Sequence, residues 1–124
     1  MDITPQIPKN RNLINGYGSE GFKINETLHQ NSIILTSNQI IEVKVNSVEE
    51  FFDADLKNIL DSNPEILLVG TGENHQIIPT DLKNKIKSQY PEISIDEMTT
   101  GSACRTYNIL MMEDRNVVVF LKFD

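Results

Sequence analysis

One short apolar run limits the folds open to this chain more than any other feature. Residues 66–69 read Ile-Leu-Leu-Val without a polar interruption, and the run ends in Gly70-Thr71-Gly72. Such a run, too short for most helices, is typical of a strand buried on both faces by covering layers. The segments that follow show helical and then strand patterns, so the run predicts a parallel crossover within an α/β fold.

The most regular helical pattern precedes this strand. Ser47 is followed three residues later by Glu50, which is a capping-box pattern. Apolar residues then recur at helical spacing: Val48, Phe51, Phe52, Leu56, Ile59 and Leu60. This spacing predicts one amphipathic helix that ends near Pro64. Its apolar stripe is typical of a core, although part of it could also meet a partner.

The other elements follow from alternation, caps and glycines. Gly16, Gly18 and Gly21 predict short strands with tight turns near the start of the chain. Further strands are predicted at residues 33–35, 41–45, 93–95 and 117–123, and further helices from Pro79-Thr80 and from Gly101-Ser102 to about Met112. The last strand is strongly apolar, which indicates that the chain ends inside its sheet.

Length and charge narrow the class of protein. The 124 residues suit one domain, and we predict a flexible N-terminal arm over residues 1–13 and a single α/β domain over residues 14–124. A net charge of -7 argues against binding to nucleic acid or to an anionic lipid surface. No apolar run reaches the length of a membrane span and no secretory leader pattern is present. These features predict a cytoplasmic protein without direct membrane insertion.

Metal and cofactor sites have little support in the sequence. Cys104 is the only cysteine, and His29 and His75 stand far apart without a companion at ligand spacing. Gly70-Thr71-Gly72 lacks the third glycine of a dinucleotide fingerprint, since His75 stands there, and the chain lacks the Gly-Lys-Ser/Thr of a phosphate loop. We therefore predict no metal and no cofactor.

Two segments are nevertheless candidates for a binding site. Gly70, Thr71 and Gly72 follow a predicted central strand, where open α/β sheets place their ligands. The second segment follows the next strand at a helix start, and its candidate residues are Thr99, Thr100, Ser102, Arg105 and Asn108. Free amides and the positive end of the helix could hold an anion there.

Cys104 lies within the second segment and has two interpretations. A helix start and the neighbouring Arg105 can lower a thiol pKa, which would suit a nucleophile or a redox sensor, with His75 as the available base. The simpler interpretation makes Cys104 a small buried residue beside capping hydroxyls, with Arg105 paired to Glu113 or Asp114. No histidine lies near Cys104 in sequence, which favours the simpler interpretation.

Four segments together resemble a known family. They are Tyr17-Gly18 with Gly21-Phe22; residues 68–72; residues 98–110 (Met-Thr-Thr through Asn-Ile-Leu); and residues 113–117. The chain resembles the small domain-of-unknown-function family that includes mitochondrial respiratory complex I assembly factor three and the adipogenesis-associated domain protein. The resemblance runs from about Ile14 to Leu121, and the Thr106-Tyr107-Asn108 segment with the glycine pair makes it specific.

This resemblance implies an Mth-like, three-layer α/β fold. A mixed central sheet with an antiparallel last strand is implied, together with about three helices and a small additional β layer. The resemblance implies no established reaction. Two positions depart from the family pattern: a tryptophan usual near Val43 and Lys44 is absent, and Asp114 replaces the usual glycine before Arg115.

Two functions follow as hypotheses. The first is a noncatalytic protein-binding or assembly factor that acts on other proteins, with subunits of respiratory complex I as a candidate class. Its surface would include residues 70–72 and 99–108. The second is a binding protein or enzyme for a small anionic ligand, with Arg105 pairing the charge, the amides of Thr71 and Gly72 holding it, and Cys104 reacting.

Overall fold

A computed structural model describes residues 11–53 and 56–124. The predicted arm therefore lies largely outside the described residues. Within them, eight strands form two sheets. The three-stranded sheet has the order β1-β2-β3 and the five-stranded sheet the order β5-β4-β8-β6-β7. The strands are β1 (Ile14–Gly18), β2 (Gly21–Ile24), β3 (Thr27–His29), β4 (Ser32–Leu35), β5 (Ile40–Val43), β6 (Ile66–Gly70), β7 (Ser94–Met98) and β8 (Val117–Leu121).

The described helices are one 3-10 helix and three α-helices. They are the 3-10 helix Val48–Asp53, α1 (Leu56–Leu60), α2 (Thr80–Gln89) and α3 (Thr100–Met112). The last helix begins two residues before the predicted Ser102. No helix among residues 11–53 and 56–124 is long and apolar enough to cross a membrane.

The single amphipathic helix predicted from Ser47 onward is wrong. The Glu50 carboxylate accepts a hydrogen bond from the N–H of Asn46 at 2.9 Å, so the predicted capping box is not formed on Ser47. Glu50 itself donates to the carbonyl of Ser47, three residues back, as a 3-10 helix requires. The neighbouring rings of Phe51 and Phe52 both pack on Phe120, at 5.2 and 5.7 Å between centroids. Tertiary packing has here overridden local helix propensity.

The last strand, β8, lies in the middle of the five-stranded sheet. It runs antiparallel to β4, as expected, but parallel to β6, so the expectation that it is antiparallel to its neighbours holds on one side only. The crossover through α3 explains this, because it carries the chain from β7 past β6 and returns it in the same direction. The parallel crossover predicted between β6 and β7 is confirmed.

The sheet separates two cores, which accounts for its continuous apolar strands. Along β8, Val117, Val119 and Leu121 pack towards α3 and the three-stranded sheet, whereas Val118 and Phe120 pack towards the other helices. Leu68 and its neighbours in β6 divide in the same way. The small sheet with α3, the five-stranded sheet, and the remaining helices form the three layers that were predicted.

The backbone conformation at Asp114 explains why glycine is usual at this position in the family pattern. Asp114 ends the turn after α3 with φ of 61°, in the left-handed region that glycine adopts without strain. Its carboxylate forms an ion pair with Arg11. A glycine at this position would meet the same conformational demand, and aspartate tolerates it better than most residues.

Candidate functional site

The two candidate segments meet at one edge of the five-stranded sheet. β6 and β7 are parallel neighbours, so the loops that follow them lie side by side. The N–H of Thr71 donates to the carbonyl of Met98 at 2.8 Å, and the N–H of Thr100 donates to the carbonyl of Gly72 at 2.9 Å. We call the outer face of these loops, with the adjoining parts of β1 and the residues after β8, the strand-end surface.

Thr100 is the residue that joins these loops. Its side chain is fully buried, and its hydroxyl accepts a hydrogen bond from the N–H of Gly72 at 2.8 Å. The same hydroxyl donates to the carbonyl of Lys122 at 2.7 Å. One side chain therefore connects the segments after β6, β7 and β8, and a role in the fold accounts for its polar group.

The glycines of the first loop are required by close contacts. A Cβ on Gly70 would lie 2.9 Å from the Cα of Thr100. Gly72 has φ of 104°, and a Cβ there would lie 2.6 Å from a carboxylate oxygen of Asp124. The glycines thus serve backbone geometry.

Nearby amides are already bonded within the protein. The N–H groups of Thr71 and Gly72 donate to Met98 and Thr100, so neither is free to hold an anion. The next amide, that of Glu73, donates to the Asp124 carboxylate at 2.6 Å. The hydrogen bond from Lys122 and that from Glu73 lower the pKa of the Asp124 carboxyl. The two amides named in the second hypothesis are thus taken up by the protein's own backbone and by Thr100, and the next amide is taken up by its own carboxylate.

Cys104 lies beneath this surface and is buried among apolar residues. Burial raises the pKa of its thiol to about 12, and the charge of Arg105 offsets this only in part. The thiol is therefore protonated at neutral pH, which opposes a nucleophilic role. His75, the base suggested for it, is exposed on its loop.

The remaining polar side chains of the helix start lie at the surface. The Thr99 hydroxyl donates to the Ser102 hydroxyl at 3.1 Å, and the Arg105 guanidinium donates to the same oxygen at 3.3 Å. Among residues 11–53 and 56–124, Arg105 has no ion pair, so the expected pairing with Glu113 or Asp114 is wrong.

Asn108 and Tyr107 attach the start of the domain to α3. The Asn108 amide donates to the carbonyl of Ile14 at 2.7 Å and accepts from the N–H of Ile14 at 2.8 Å, as a paired strand would. The buried Tyr107 hydroxyl donates to the carbonyl of Asn12 at 2.9 Å. The candidate ligand residue Asn108 is thus occupied in holding β1.

A cleft of about 490 Å³ opens on the strand-end surface. Tyr17 and Phe123 give it aromatic walls, and Glu73 and Asp124 make it acidic. Burial is the main reason that the pKa of Tyr17 is raised, and Cys104, Asp124 and Glu73 act in the same direction. This negative environment is unsuited to an anionic ligand.

Sequence reasoning missed the cleft residues Tyr17, Glu73, Phe123 and Asp124. The positions of Phe123 and Asp124 could have been predicted, because a last strand that runs parallel to β6 must end at the same edge as residues 70–72. That prediction required the direction of β8, which the family resemblance had given differently. In the described residues no group of three or more acidic, histidine or cysteine side chains is arranged to hold a metal ion.

Comparison with known proteins places the chain in a family. Residues 14–122 match the family described as "Protein of unknown function (DUF498/DUF598)". The chain belongs to the DUF498/DUF598 family. The narrower relation to the complex I assembly factor stays a prediction.

One relative matched by sequence and two similar solved structures come from bacteria. The "13 kDa major membrane protein" of Francisella tularensis subsp. holarctica (strain LVS) is 36% identical over 98 residues, which cover 77% of this chain and 78% of that protein. The structure of an outer membrane protein from Bartonella henselae is 31% identical with a TM-score of 0.79, covering 93% of this chain and 98% of the other. A Bordetella pertussis Mth938-like domain, at 22% identity, TM-score 0.78 and coverage of 98% and 92%, shares the fold.

Proposed function

We propose that this DUF498/DUF598 chain is a noncatalytic protein-binding factor that contacts its partners through the strand-end surface. One observation carries the proposal: the loop amides that would hold an anion are already bonded within the protein, and the thiol that would react is protonated. Thr71, Gly72 and Thr100 bond one another and their neighbours, and the Cys104 thiol is protonated. The loops thus form a braced surface, and rigid surfaces lose little entropy when a partner binds.

An exposed apolar residue beside these loops supports protein binding. The Thr71 hydroxyl accepts from the N–H of Gln76 at 3.1 Å and donates to the carbonyl of Asn74 at 2.7 Å, which folds the loop after β6 tightly. Ile77 follows directly and is 78% exposed. Covering a side chain of this size contributes about 1.5–3 kcal/mol. Ile77 is therefore the anchor that we expect a partner to bury.

The names of the relatives suggest where such partners are found. Two similar proteins are named for a membrane or outer membrane. A cytoplasmic protein that docks on membrane-associated subunits would fit the membrane name of the Francisella relative and the predicted location. The family resemblance makes subunits of respiratory complex I the first partners to test.

The proposal is tested by site-specific photo-crosslinking in the native cells. A photoreactive amino acid replaces Ser19, an exposed residue that lines the cleft, and in a matched control it replaces Lys85, which is exposed on α2. We expect discrete protein adducts from position 19 and none of the same mass from position 85. Adding Ile77→Asp should remove those adducts without changing the unfolding midpoint.

Each outcome bears on the proposal. Adducts at both positions in equal yield, or adducts that survive Ile77→Asp, would contradict docking at this surface. Mass spectrometry of the adducts tests the narrower proposal, since respiratory-complex subunits should be among them. Specific adducts with other proteins would keep the binding function and reject the respiratory assignment.

A further inference from the structure

A second groove lies on another part of the molecule, between the edge strand β7 and the helix α3. Its volume is about 750 Å³. α3 packs mainly on β6 and β8, which leaves Ser94 and Asp96 on the adjoining face of β7 exposed. Ile66 and Asp96 line the sheet side of the groove, and Thr106 and Leu110 line its helix side. No part of the strand-end surface contributes to it.

The backbone of β7 offers hydrogen bonds at this groove. The N–H of Ser94 donates to the carbonyl of Glu65 at 2.9 Å, and the carbonyl of Met98 accepts from Thr71, so these residues face β6. Alternate residues of a strand direct their backbone groups to opposite sides, so Ile95 and Glu97 direct theirs outward. Within the described chain the sheet order ends at β7. An edge of this kind is a template for another strand.

The charges around the groove determine which sign of charge a partner should carry. Glu65 is paired with Arg115 and Glu97 with Lys83, each at 2.8 Å. Asp96 and Glu92 also line or flank the groove, and neither has an ion-pair partner in the part of the chain that the structure describes.

The side of the sheet on which Asp96 lies also follows from the register. Asp96 pairs with Leu68, whose side chain packs in the core beneath α3, so Asp96 lies on the groove side. Asp96 and Glu92 thus line the groove without an ion-pair partner among residues 11–53 and 56–124, whereas Arg115, which also lines it, is paired with Glu65.

We propose that this groove binds an extended basic segment of a partner protein, which adds to β7 as a further strand. Lysine or arginine at alternate positions would face Asp96 and Glu92, because alternate side chains of a strand share one face. Apolar atoms of the same side chains would cover Ile66 and Leu110. A second copy of this chain is a poor occupant, since pairing β7 with β7 brings two copies of the unpaired Asp96 close together. The site is independent of the function proposed for the strand-end surface.

The test uses a fluorescein-labelled octapeptide of alternating lysine and valine and the full chain. Binding is measured by fluorescence anisotropy. We expect Asp96→Asn to raise the Kd by about threefold or more, as for an exposed ion pair of good geometry. Glu20→Gln removes the same charge in the distant β1–β2 turn and should change the Kd less than about twofold.

A second peptide separates strand addition from charge attraction. The same octapeptide N-methylated at alternate residues keeps its charges but loses donors to the edge, and it should bind at least about tenfold more weakly. Nuclear magnetic resonance should show the amide signals of Ile95 and Glu97 shifting on addition of the unmodified peptide, with that of Gly72 unchanged.

Several results would overturn the proposal. Equal binding of the methylated peptide, or equal effects of Asp96→Asn and Glu20→Gln, would show nonspecific attraction to an acidic protein. Sedimentation velocity tests for a second copy at the edge. A dimer there, stabilised by Asp96→Asn and not dissociated by the peptide, would assign the edge to that second copy. Because the shifts are read at Ile95 and Glu97, failure here is distinguishable from failure of the strand-end proposal.

Discussion

Thr100→Val should be one of the most damaging conservative substitutions in this chain. Valine has nearly the same shape as threonine, so the change removes the hydroxyl with little change in packing. Without that hydroxyl the N–H of Gly72 loses its acceptor at 2.8 Å and the carbonyl of Lys122 loses its donor at 2.7 Å. Both groups belong to segments that hold the strand-end surface together.

The magnitude follows from the burial of these partners. A buried polar group left unsatisfied costs about 1–3 kcal/mol. Gly72 is buried, whereas Lys122 is partly exposed, so water can reach its carbonyl more easily. We therefore expect Thr100→Val to lower the free energy of unfolding by about 2–4 kcal/mol. With a urea m-value of about 2 kcal/mol/M the midpoint falls by about 1–2 M.

Thr106→Val supplies the matched control for this measurement. Thr106 lies on the same helix, is partly buried, and makes no side-chain hydrogen bond to the described residues. Its replacement should change the free energy of unfolding by less than about 0.5 kcal/mol. Hydrogen exchange at the Gly72 amide should quicken in Thr100→Val alone. Equal losses from the two variants would refute the role assigned to the Thr100 hydroxyl.

Three further predictions concern the same region. Gly70→Ala should lower the free energy of unfolding by about 1–3 kcal/mol in urea titrations, because the new Cβ lies 2.9 Å from Thr100, whereas Gly18→Ala, with open space at its Cβ, should have little effect. Since burial raises its pKa to about 12, native Cys104 should react with iodoacetamide at pH 8 at least about 100-fold more slowly than in the unfolded chain; comparable rates would contradict a protonated, buried thiol. The pKa of Asp124 is lowered in the fold, so its contribution is present above the unfolded value of about 3.9 and is lost as pH falls through the folded pKa. The wild-type protein should exceed Asp124→Asn in stability by up to about 1 kcal/mol at pH 7 and by less at pH 3; a gap that widens on acidification would reverse this sign.

Local patterns predicted most of the elements but few of the roles at the candidate site. The runs at residues 66–69 and 117–123 indicated buried strands correctly, although the second strand ends at Leu121, because burial on two faces requires apolar side chains at every position. The glycine loop and the start of α3 were expected on one surface, and they lie at one edge because parallel neighbouring strands end together. Asn108, in contrast, was a ligand candidate and proved to hold β1, since a side-chain amide satisfies either a ligand or a backbone.

The sequence by itself determined the class of fold, the family and the lack of a phosphate-loop pattern. Tertiary structure decided three matters: the 3-10 form of the helix after Ser47, the direction of β8, and the use of Asp124 and Thr100 to satisfy the loop amides. Each depends on partners far apart in sequence. Phe120 draws the rings of Phe51 and Phe52 together, and the Asp124 carboxylate reaches the Glu73 amide 51 residues away. Hydrophobic periodicity describes one segment at a time, so it does not predict which distant group will satisfy a given hydrogen bond.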